Sequence, residues 1–259
     1  MSLLKNIEKV KDNIEDYHAK KCISASGLKT IYKETVTHYL DPDKFKSTRA
    51  TELGNAVHTC LYEGLGTYKK QYFVMPKLDL RKKSDKDLKK ELDVKCGDKL
   101  QVDQNFDDVV MRIYENAKSD SRITPYLKGD IEISHYGTLN DIPVRVRPDC
   151  IGTNWISDIK TCQSSNPDKF KWAIKDWAYH LQAVFYCEML GFNPKNFRFI
   201  ACSTNTPYKC ELVSLSDDNI ERGKYAWRKA WFYWTKYLDT GVPTGYMGYE
   251  RTSDGAVII

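Results

Sequence analysis

The most informative stretch of the chain is Pro143-Val-Arg-Val-Arg-Pro-Asp149, followed after a short turn by Trp155-Ile-Ser-Asp-Ile-Lys-Thr161. Both segments alternate apolar and polar side chains, which is typical of half-buried β-strands. The intervening Gly152-Thr-Asn154 is typical of a turn, so the two segments are predicted to form an antiparallel hairpin. Upstream, Ile131-Glu-Ile-Ser-His-Tyr136 also alternates and is followed by a turn at 139–141, which predicts a three-stranded antiparallel meander.

The predicted hairpin brings three charged side chains together. Its turn places Asp149 nearly opposite Ser157 and Asp158, and directly opposed residues have Cβ atoms about 5 Å apart. Two carboxylates this close repel each other unless a cation lies between them or one of them is protonated. Asp158 and Lys160 leave the same face of the strand, whereas Ile159 points to the opposite, apolar side. Two acids and a lysine at one point suit a hard divalent cation and an activated water.

The Asp-x-Lys string is weak evidence by itself, because Asp87-Leu88-Lys89 also matches it. That second copy lies within residues 77–100, the most polar part of the chain, and no acid on a neighbouring strand precedes it. We interpret residues 77–100 as a solvated helix or a mobile loop, with a basic arm that grips phosphates as the alternative. The hairpin context therefore distinguishes Asp158-Ile159-Lys160 from the surface copy.

Two predicted helices contribute further polar side chains. Residues 48–64 form an apolar helical pattern that includes Gly54-Asn-Ala-Val-His58, and a neutral His58 imidazole could bind a metal. In isolation, a packed or solvated histidine is the simpler interpretation of His58. Asn166-Pro167 begins a helix that runs to Gly191, with a break near Asp176, and Gln182 and Tyr186 share one face of it. Both side chains can hydrogen-bond a phosphate or the lysine, although an ordinary amphipathic helix remains the alternative.

The rest of the chain is predicted from the same signals. Apolar spacing predicts helices at 1–20 and 103–118, and Ser24 and Ser216 are predicted N-caps of helices that end near Tyr39 and Leu238. Two further strands are predicted at 197–202 and 209–214.

Composition limits the class of protein. The chain has 259 residues, 41% hydrophobic and 29% charged, and shows no linker or internal repeat, so we expect one domain. Within it we expect an N-terminal helical part at 1–50, a core at 51–240 and a tail at 241–259. A net charge of +5 is compatible with a nucleic-acid partner but does not demonstrate one.

Neither a signal peptide nor an apolar run of membrane-spanning length is visible, so we expect a cytoplasmic protein without membrane association, or a nuclear or organellar one if the host is eukaryotic. The eight cysteines are scattered without a Cys-x-x-Cys pair. They are predicted to be reduced thiols that pack as small hydrophobic side chains.

The order Gly-x-x-x-His, Pro-Asp, Asp-x-Lys-Thr and Gln-x-x-x-Tyr resembles the RecB-like branch of PD-(D/E)xK nucleases. The flanking sequence is similar to the RecE-type exonucleases, exonuclease VIII and its phage relatives. The matching stretches are Ile23–Lys29, Leu53–Glu63, Val146–Asp149 and Asp158–Thr161, and the resemblance spans roughly residues 20 to 240. It implies an α/β (α+β) fold with a restriction-endonuclease-like core, in which a central mixed sheet containing the antiparallel meander is flanked by helices.

The resemblance also implies a role for each matching residue. The predicted ligands of Mg²⁺, for which Mn²⁺ could substitute, are His58, Asp149, Asp158 and the Ile159 carbonyl. Lys160 would activate the attacking water. Gln182 and Tyr186 would hold the substrate strand or orient Lys160.

Three residues of the meander are further candidates. Glu132 is a candidate extra acid on the strand before the hairpin. Arg145 and Arg147 alternate toward one side of their strand and could contact phosphate, or equally form surface salt bridges. Iron–sulfur members of the superfamily carry a cysteine cluster near the C-terminus, and no cysteine follows Cys210 here. We therefore predict no iron–sulfur cluster.

The function implied is an exonuclease that degrades linear double-stranded DNA from the 5′ end in a bacterial or phage-infected cell, generating single strand for recombination. A single-strand annealing protein is the implied partner and a homo-oligomeric ring the implied assembly. A restriction-like or structure-specific endonuclease would use the same residues. A third interpretation, a binding protein on a retired nuclease fold, is disfavoured by the complete acid–acid–lysine set.

Overall fold

The computed structural model describes residues 2–43, 46–246, 249, 252–254 and 256–258. Its strands are β1 Lys5–Val10, β2 Tyr72–Met75, β3 Leu100–Asp103, β4 Asp130–Ile131, β5 Ser134–Leu139, β6 Ile142–Val146, β7 Cys150–Ile151, β8 Ile156–Cys162, β9 Phe197–Ser203 and β10 Cys210–Val213. Its α-helices are α1 Ile14–Ala19, α2 Ala25–Lys33, α3 Val36–Leu40, α4 Arg49–His58, α5 Leu65–Gln71, α6 Lys83–Cys96, α7 Gln104–Ser119, α8 Pro167–Asp176, α9 Tyr179–Leu190 and α10 Asp217–Thr240. A π-helix, Thr59–Glu63, extends α4, and short 3-10 helices lie at Thr124–Leu127 and Pro194–Asn196.

The central sheet has five strands in the order β10-β9-β8-β7-β4. The β8–β9 pair is parallel and the other neighbours are antiparallel, so the sheet is mixed. A second sheet has the order β1-β5-β6, and β2 pairs with β3 in parallel. Helices cover both faces of the central sheet, which confirms the predicted fold class.

Strand β8 separates two layers of apolar packing. Ile156 lies in a core that includes residues of α2, α8, α9 and α10. Ile159 comes three residues later, so it lies on the opposite face, where it packs with residues of α4 and α7. The two-residue period of a strand therefore sends Asp158 and Lys160 toward the side of α9, while Ile159 faces the other core, as predicted.

Several local predictions are confirmed with their physical causes. Asn166 caps α8 by accepting from the Asp168 N–H, and Ser216 caps α10 by accepting from the Asn219 N–H. The break predicted near Asp176 separates α8 from α9, and Ala178 adopts a left-handed conformation there with φ 48°.

The predicted helix at 1–20 is wrong. Residues 5–10 form an edge strand paired antiparallel with β5, and only 14–19 are helical. The helical spacing of Leu4, Ile7, Val10 and Ile14 was misleading, because Leu4 is buried whereas Ile7 and Ile14 are exposed. Hydrogen bonding along the free edge of β5 outweighs the local pattern.

The predicted three-stranded meander is divided between two sheets. Its first hairpin, β5–β6, pairs with β1, whereas the second hairpin, β7–β8, belongs to the central sheet. Ile131 lies not in β5 but at the end of β4, which pairs with β7. Pro148 falls between β6 and β7, where its missing N–H favours the end of a ladder.

Other predicted boundaries need smaller corrections. The helix predicted from Ser24 to Tyr39 divides into α2 and α3, because Thr35 caps a new helix. The polar stretch 77–100 contains α6, which agrees with a solvated helix. The predicted tail at 241–259 lies partly outside the described residues.

Within the described ranges, no helix combines the length and the apolar character needed to cross a membrane. All eight cysteines are free thiols, and six of them are buried.

Gly223 controls how closely α10 approaches α9. A Cβ at this position would lie 2.5 Å from the His180 carbonyl oxygen and 2.7 Å from Val184 Cγ2. Overpacking costs about 1–3 kcal/mol, whereas Ala gains about 1 kcal/mol over Gly in a helix. We therefore expect Gly223→Ala to lower the thermal unfolding midpoint. Gly66→Ala, with open space around its Cβ, should leave the midpoint unchanged or raise it; equal midpoints for the two variants would contradict the expectation.

Candidate active site

The register of β7 and β8 fixes the position of Asp149. Cys150 pairs with Ser157, so Asp149, one residue earlier, lies across from Asp158. Its carboxylate Oδ2 accepts a hydrogen bond from the Ile159 N–H at 2.9 Å. Just before β7 begins, the Asp149 side chain thus accepts a hydrogen bond from the backbone of β8. This bond holds the carboxylate beside β8.

Asp158 and Lys160 are brought together on one face of β8. The Asp158 carboxylate is fully buried, and its Oδ1 contacts the Lys160 ammonium group. Lys160 Nζ also lies 5.0 Å from the centre of the Tyr179 ring, a cation–π distance. The acid–acid–lysine cluster predicted from the hairpin is therefore assembled, with Tyr179 as an additional neighbour that the sequence did not indicate.

Gln182 orients the buried acid. Its Nε2 donates to Asp158 Oδ2 at 2.7 Å, and its Oε1 accepts from Lys29 Nζ at 3.1 Å. An ammonium group can only donate and a carboxylate can only accept, so the two neighbours determine the orientation of the amide. Gln182 thus contacts the acid, whereas the sequence predicted contact with a phosphate or with Lys160.

Lys29 is a site residue that sequence reasoning did not assign. It lies on α2, within the Ile23–Lys29 stretch, whose resemblance to RecE-type exonucleases implies no role for the lysine. Burial and the neighbouring Lys160 lower the pKa of Lys29 to about 8. Only the packing of α2 against α9 brings this lysine to Gln182, so no local sequence signal could identify it.

His58 joins the cluster from α4. Its Nε2 lies 3.4 Å from Asp149 Oδ2, and its Nδ1 lies 3.4 Å from Glu132 Oε1. The Tyr62 ring packs edge-on against the imidazole, with centroids 4.9 Å apart. Burial opposes a charged imidazole, but Asp149 and Glu132 outweigh it and raise the pKa of His58.

Two further glutamates face the same imidazole. Glu132 directly follows β4 with φ 51°, rather than lying within a strand as predicted, and it also pairs with Arg147 at 2.9 Å. Glu63 was not predicted as a site residue. It ends the π-helix, a feature that often marks functional sites. Ligand atoms of His58, Glu63 and Glu132 lie within 4.8 Å of one another.

The electrostatics of the two aspartates are opposed. Burial and the Asp149 carboxylate raise the pKa of Asp158 to about 6, although Lys160 acts against this. Burial also disfavours a charged Asp149, but His58, Lys160 and the Ile159 N–H outweigh it and lower the pKa of Asp149. Burial tends to lower the pKa of Lys160, yet Asp158 and Asp149 raise it to about 12. Asp158 is therefore the acid most in need of additional positive charge.

These donors fit a hard divalent cation. Although Asp158 Oδ1 contacts Lys160, it accepts no hydrogen bond of normal geometry within the described part of the chain. Asp149, His58, Glu132 and Ile159 line a shared cavity of about 700 Å³ next to it. Carboxylate oxygens with one imidazole suit Mg²⁺ or Mn²⁺ better than a soft metal.

Two other predicted residues, Tyr186 and Arg145, do not face the cavity as expected. Tyr186 is buried, and burial raises the pKa of its hydroxyl well above the usual value, so it can affect substrate only through neighbours such as Gln182. Arg145 is buried as well and donates to the carbonyls of His18 at 3.0 Å and Lys20 at 2.6 Å. Both predictions for Arg145, contact with a phosphate and a surface salt bridge, are therefore wrong.

Arg147 does line the cavity, with its guanidinium paired to Asp12 at 3.2 Å as well as to Glu132. Its side chain is only 9% exposed. It therefore forms a salt bridge, as the alternative prediction stated, but a largely buried one.

Comparison with known structures identifies a protein with a similar fold. The crystal structure of a "Putative exonuclease" from Eubacterium rectale superposes with a TM-score of 0.63 at 15% identity, over 91% of this chain and 90% of that chain. At this identity the likeness shows the fold. The fold is that of the PD-(D/E)xK nuclease superfamily.

Within that superfamily, the model of the PDDEXK-like domain of unknown function (DUF3799) matches residues 24–231. The match covers most of the chain, and the chain therefore belongs to this family. No curated protein matches the sequence.

The cation site can be tested without any assumption about activity. We expect Asp149→Asn and Asp158→Asn to weaken Mn²⁺ binding by about tenfold or more, because each removes a charged donor. The matched control is Asp87→Asn, which alters the exposed Asp-x-Lys copy on α6. Titration calorimetry measures the affinities and circular dichroism confirms the fold. Wild-type affinity in both site variants would contradict the assignment.

Proposed function

We propose that this protein is a divalent-metal-dependent DNA exonuclease that hydrolyses phosphodiester bonds of linear double-stranded DNA. The observation that carries the proposal is the convergence of Asp149, Asp158 and Lys160. Asp149 and Lys160 line one cavity together with His58, and Asp158 is buried directly next to it. A structural or binding role does not require two opposed carboxylates, one of them fully buried, with a lysine in contact with the buried one.

Asp149, Asp158 and His58 would hold Mg²⁺ or Mn²⁺, with the Ile159 carbonyl as a further oxygen donor. A bound divalent cation lowers the pKa of water and stabilises charge on phosphate oxygens. The Lys160 ammonium would orient the attacking water and offset negative charge on the phosphate. Gln182 would keep Asp158 in a single orientation during this step.

The finer parts of the proposal rest on similarity. The Ile23–Lys29 and Leu53–Glu63 stretches resemble RecE-type exonucleases, and the Eubacterium rectale protein carries an exonuclease description. On this basis we propose degradation from the 5′ end, a role in recombination and transfer of the exposed strand to an annealing protein. A cytoplasmic location, a single nuclease domain and a homo-oligomeric ring belong to the same proposal.

The decisive experiment compares linear duplex, labelled at the 5′ or the 3′ end, with covalently closed circles. With Mg²⁺ we expect the linear duplex to be degraded, with the 5′ label released first, and no cleavage in chelator. Closed circles should remain intact. We expect Lys160→Ala to reduce the rate by about 100-fold or more, and Lys89→Ala, in the surface copy of the motif, to retain it.

Each alternative gives a different result in this experiment. Cleavage of closed circles would mean that the protein is an endonuclease that uses the same residues, and not an exonuclease. Absence of Mg²⁺-dependent cleavage, or full activity of Lys160→Ala, would overturn the proposed function.

Lys29 should act as a positioning residue for Asp158. Lys29→Met leaves Gln182 Oε1 without its donor, so the amide is free to turn away from the acid. We expect kcat to fall by about tenfold to 100-fold, the usual effect of losing a group that orients a ligand, with a smaller change in KM. Lys21→Met, an exposed lysine just before α2, is the charge-matched control. If Lys29→Met had the same kcat as Lys21→Met and the wild-type protein, Lys29 would have no positioning role.

A further inference from the structure

A groove with a volume of about 510 Å³ lies next to the candidate active site, between α4 and the α8–α9 segment. Leu53 forms part of one wall, and Phe170, Ala173 and Trp177 form much of the other. Among the described residues that line the groove, only Thr161 belongs to one of the nuclease motifs, and the motif assigns it no role. We call it the Trp177 groove.

The Trp177 groove is continuous with the metal-binding cavity. Thr161 and Tyr179 line both spaces, at the junction between them. Gly54 also lies at this junction, and a Cβ there would be only 3.3 Å from Thr161 Oγ1. A strand whose phosphate reached Lys160 could therefore continue past Tyr179 into the groove.

Trp177 presents a large apolar surface in the wall of the groove. Its side chain is 61% exposed, which is unusual for a tryptophan that contacts other residues of a packed fold. The backbone holds it there, because its N–H donates to the Ala173 carbonyl at 2.9 Å and the next residue, Ala178, is left-handed. An exposed ring on a fixed backbone is a surface for stacking.

The charges around the groove complement a nucleic acid strand. Lys169 is the one charged residue among the described residues that line it, and no carboxylate does so. Lys33 Nζ lies 5.3 Å from the centre of the Trp177 ring. Aromatic rings interspersed with lysines and free of acids are typical of single-strand binding sites.

We propose that the Trp177 groove binds unpaired nucleotides of the strand that is being cleaved, with one base stacked on the Trp177 indole. The inference rests on the proposed nuclease function and adds that the substrate is locally single-stranded beside the scissile phosphate. Bases in the interior of a duplex already stack on both neighbours, so such a base must leave the duplex before it can stack on this ring. The ring is sequence-tolerant, since every base has a flat face.

Trp172 provides a matched control. It lies on α8, five residues before Trp177, and its side chain is 58% exposed, but it does not line the groove. Binding of a fluorescein-labelled oligothymidylate is measured by anisotropy in chelator, and again with Ca²⁺ in a Lys160→Ala background. We expect Trp177→Ala to weaken binding roughly tenfold, Trp177→Phe to retain most of it, and Trp172→Ala to match the parent protein.

An abasic oligonucleotide separates stacking from an indirect effect. It keeps the phosphates but lacks the bases, so Trp177→Ala should bind it as well as the parent does. An equal loss on abasic and normal oligonucleotides, or a Trp177→Ala affinity equal to that of Trp172→Ala, would overturn the inference. Thermal unfolding of each variant shows whether the fold is retained.

The two proposals fail in distinguishable ways. Absence of Mg²⁺-dependent cleavage by the wild-type protein removes the nuclease function itself. An active nuclease in which Trp177→Ala degrades blunt linear duplex at the wild-type rate and binds oligothymidylate normally overturns only the single-strand groove. An active nuclease that loses affinity only for strands containing bases supports both.

Discussion

The opposed pair Asp149 and Asp158 is the constraint on which the rest of the site depends. Two carboxylates held across a hairpin repel each other, and one of them is fully buried. Each neighbouring group reduces that cost: the Ile159 N–H binds Asp149, and Lys160 and Gln182 contact Asp158. These contacts do not fully compensate the buried negative charge, because the pKa of Asp158 remains raised. A divalent cation would supply the positive charge that is still missing.

The fold supplies these groups because β8 separates two cores. Its apolar side chains anchor it to both helical layers, so its backbone is fixed and its polar side chains project with the period of a strand. The face of Asp158 and Lys160 meets α9 and α2, whereas α4 brings His58 to Asp149. The site is thus assembled at the meeting point of three helices and one strand, and these elements are distant in sequence.

The sequence was sufficient wherever the physical cause is local. The Asp149–Asp158 hairpin, the Asn166 cap and the break before α9 each depend on residues a few positions apart. The sequence-based predictions were wrong where a distant partner determines the local structure. Residues 5–10, for example, pair with the free edge of β5 despite their helical apolar pattern. Lys29 and Glu63 were not predicted as site residues for the same reason. Their positions in the site arise from helix packing and from a π-helical turn, which no spacing rule reveals.

Tyr179 lies at the junction between the candidate active site and the Trp177 groove. Its ring lies against Lys160 at 5.0 Å and against Lys29 at 5.9 Å, yet its edge also lines the Trp177 groove. The left-handed Ala178 begins α9, so one backbone feature sets the directions of both Tyr179 and Trp177. A substrate strand that displaced Tyr179 would therefore alter the environment of Lys160 as well. On the two proposals, strand binding and the chemistry at Asp158 would be coupled through this single turn, which a motif restricted to the acids and the lysine does not include.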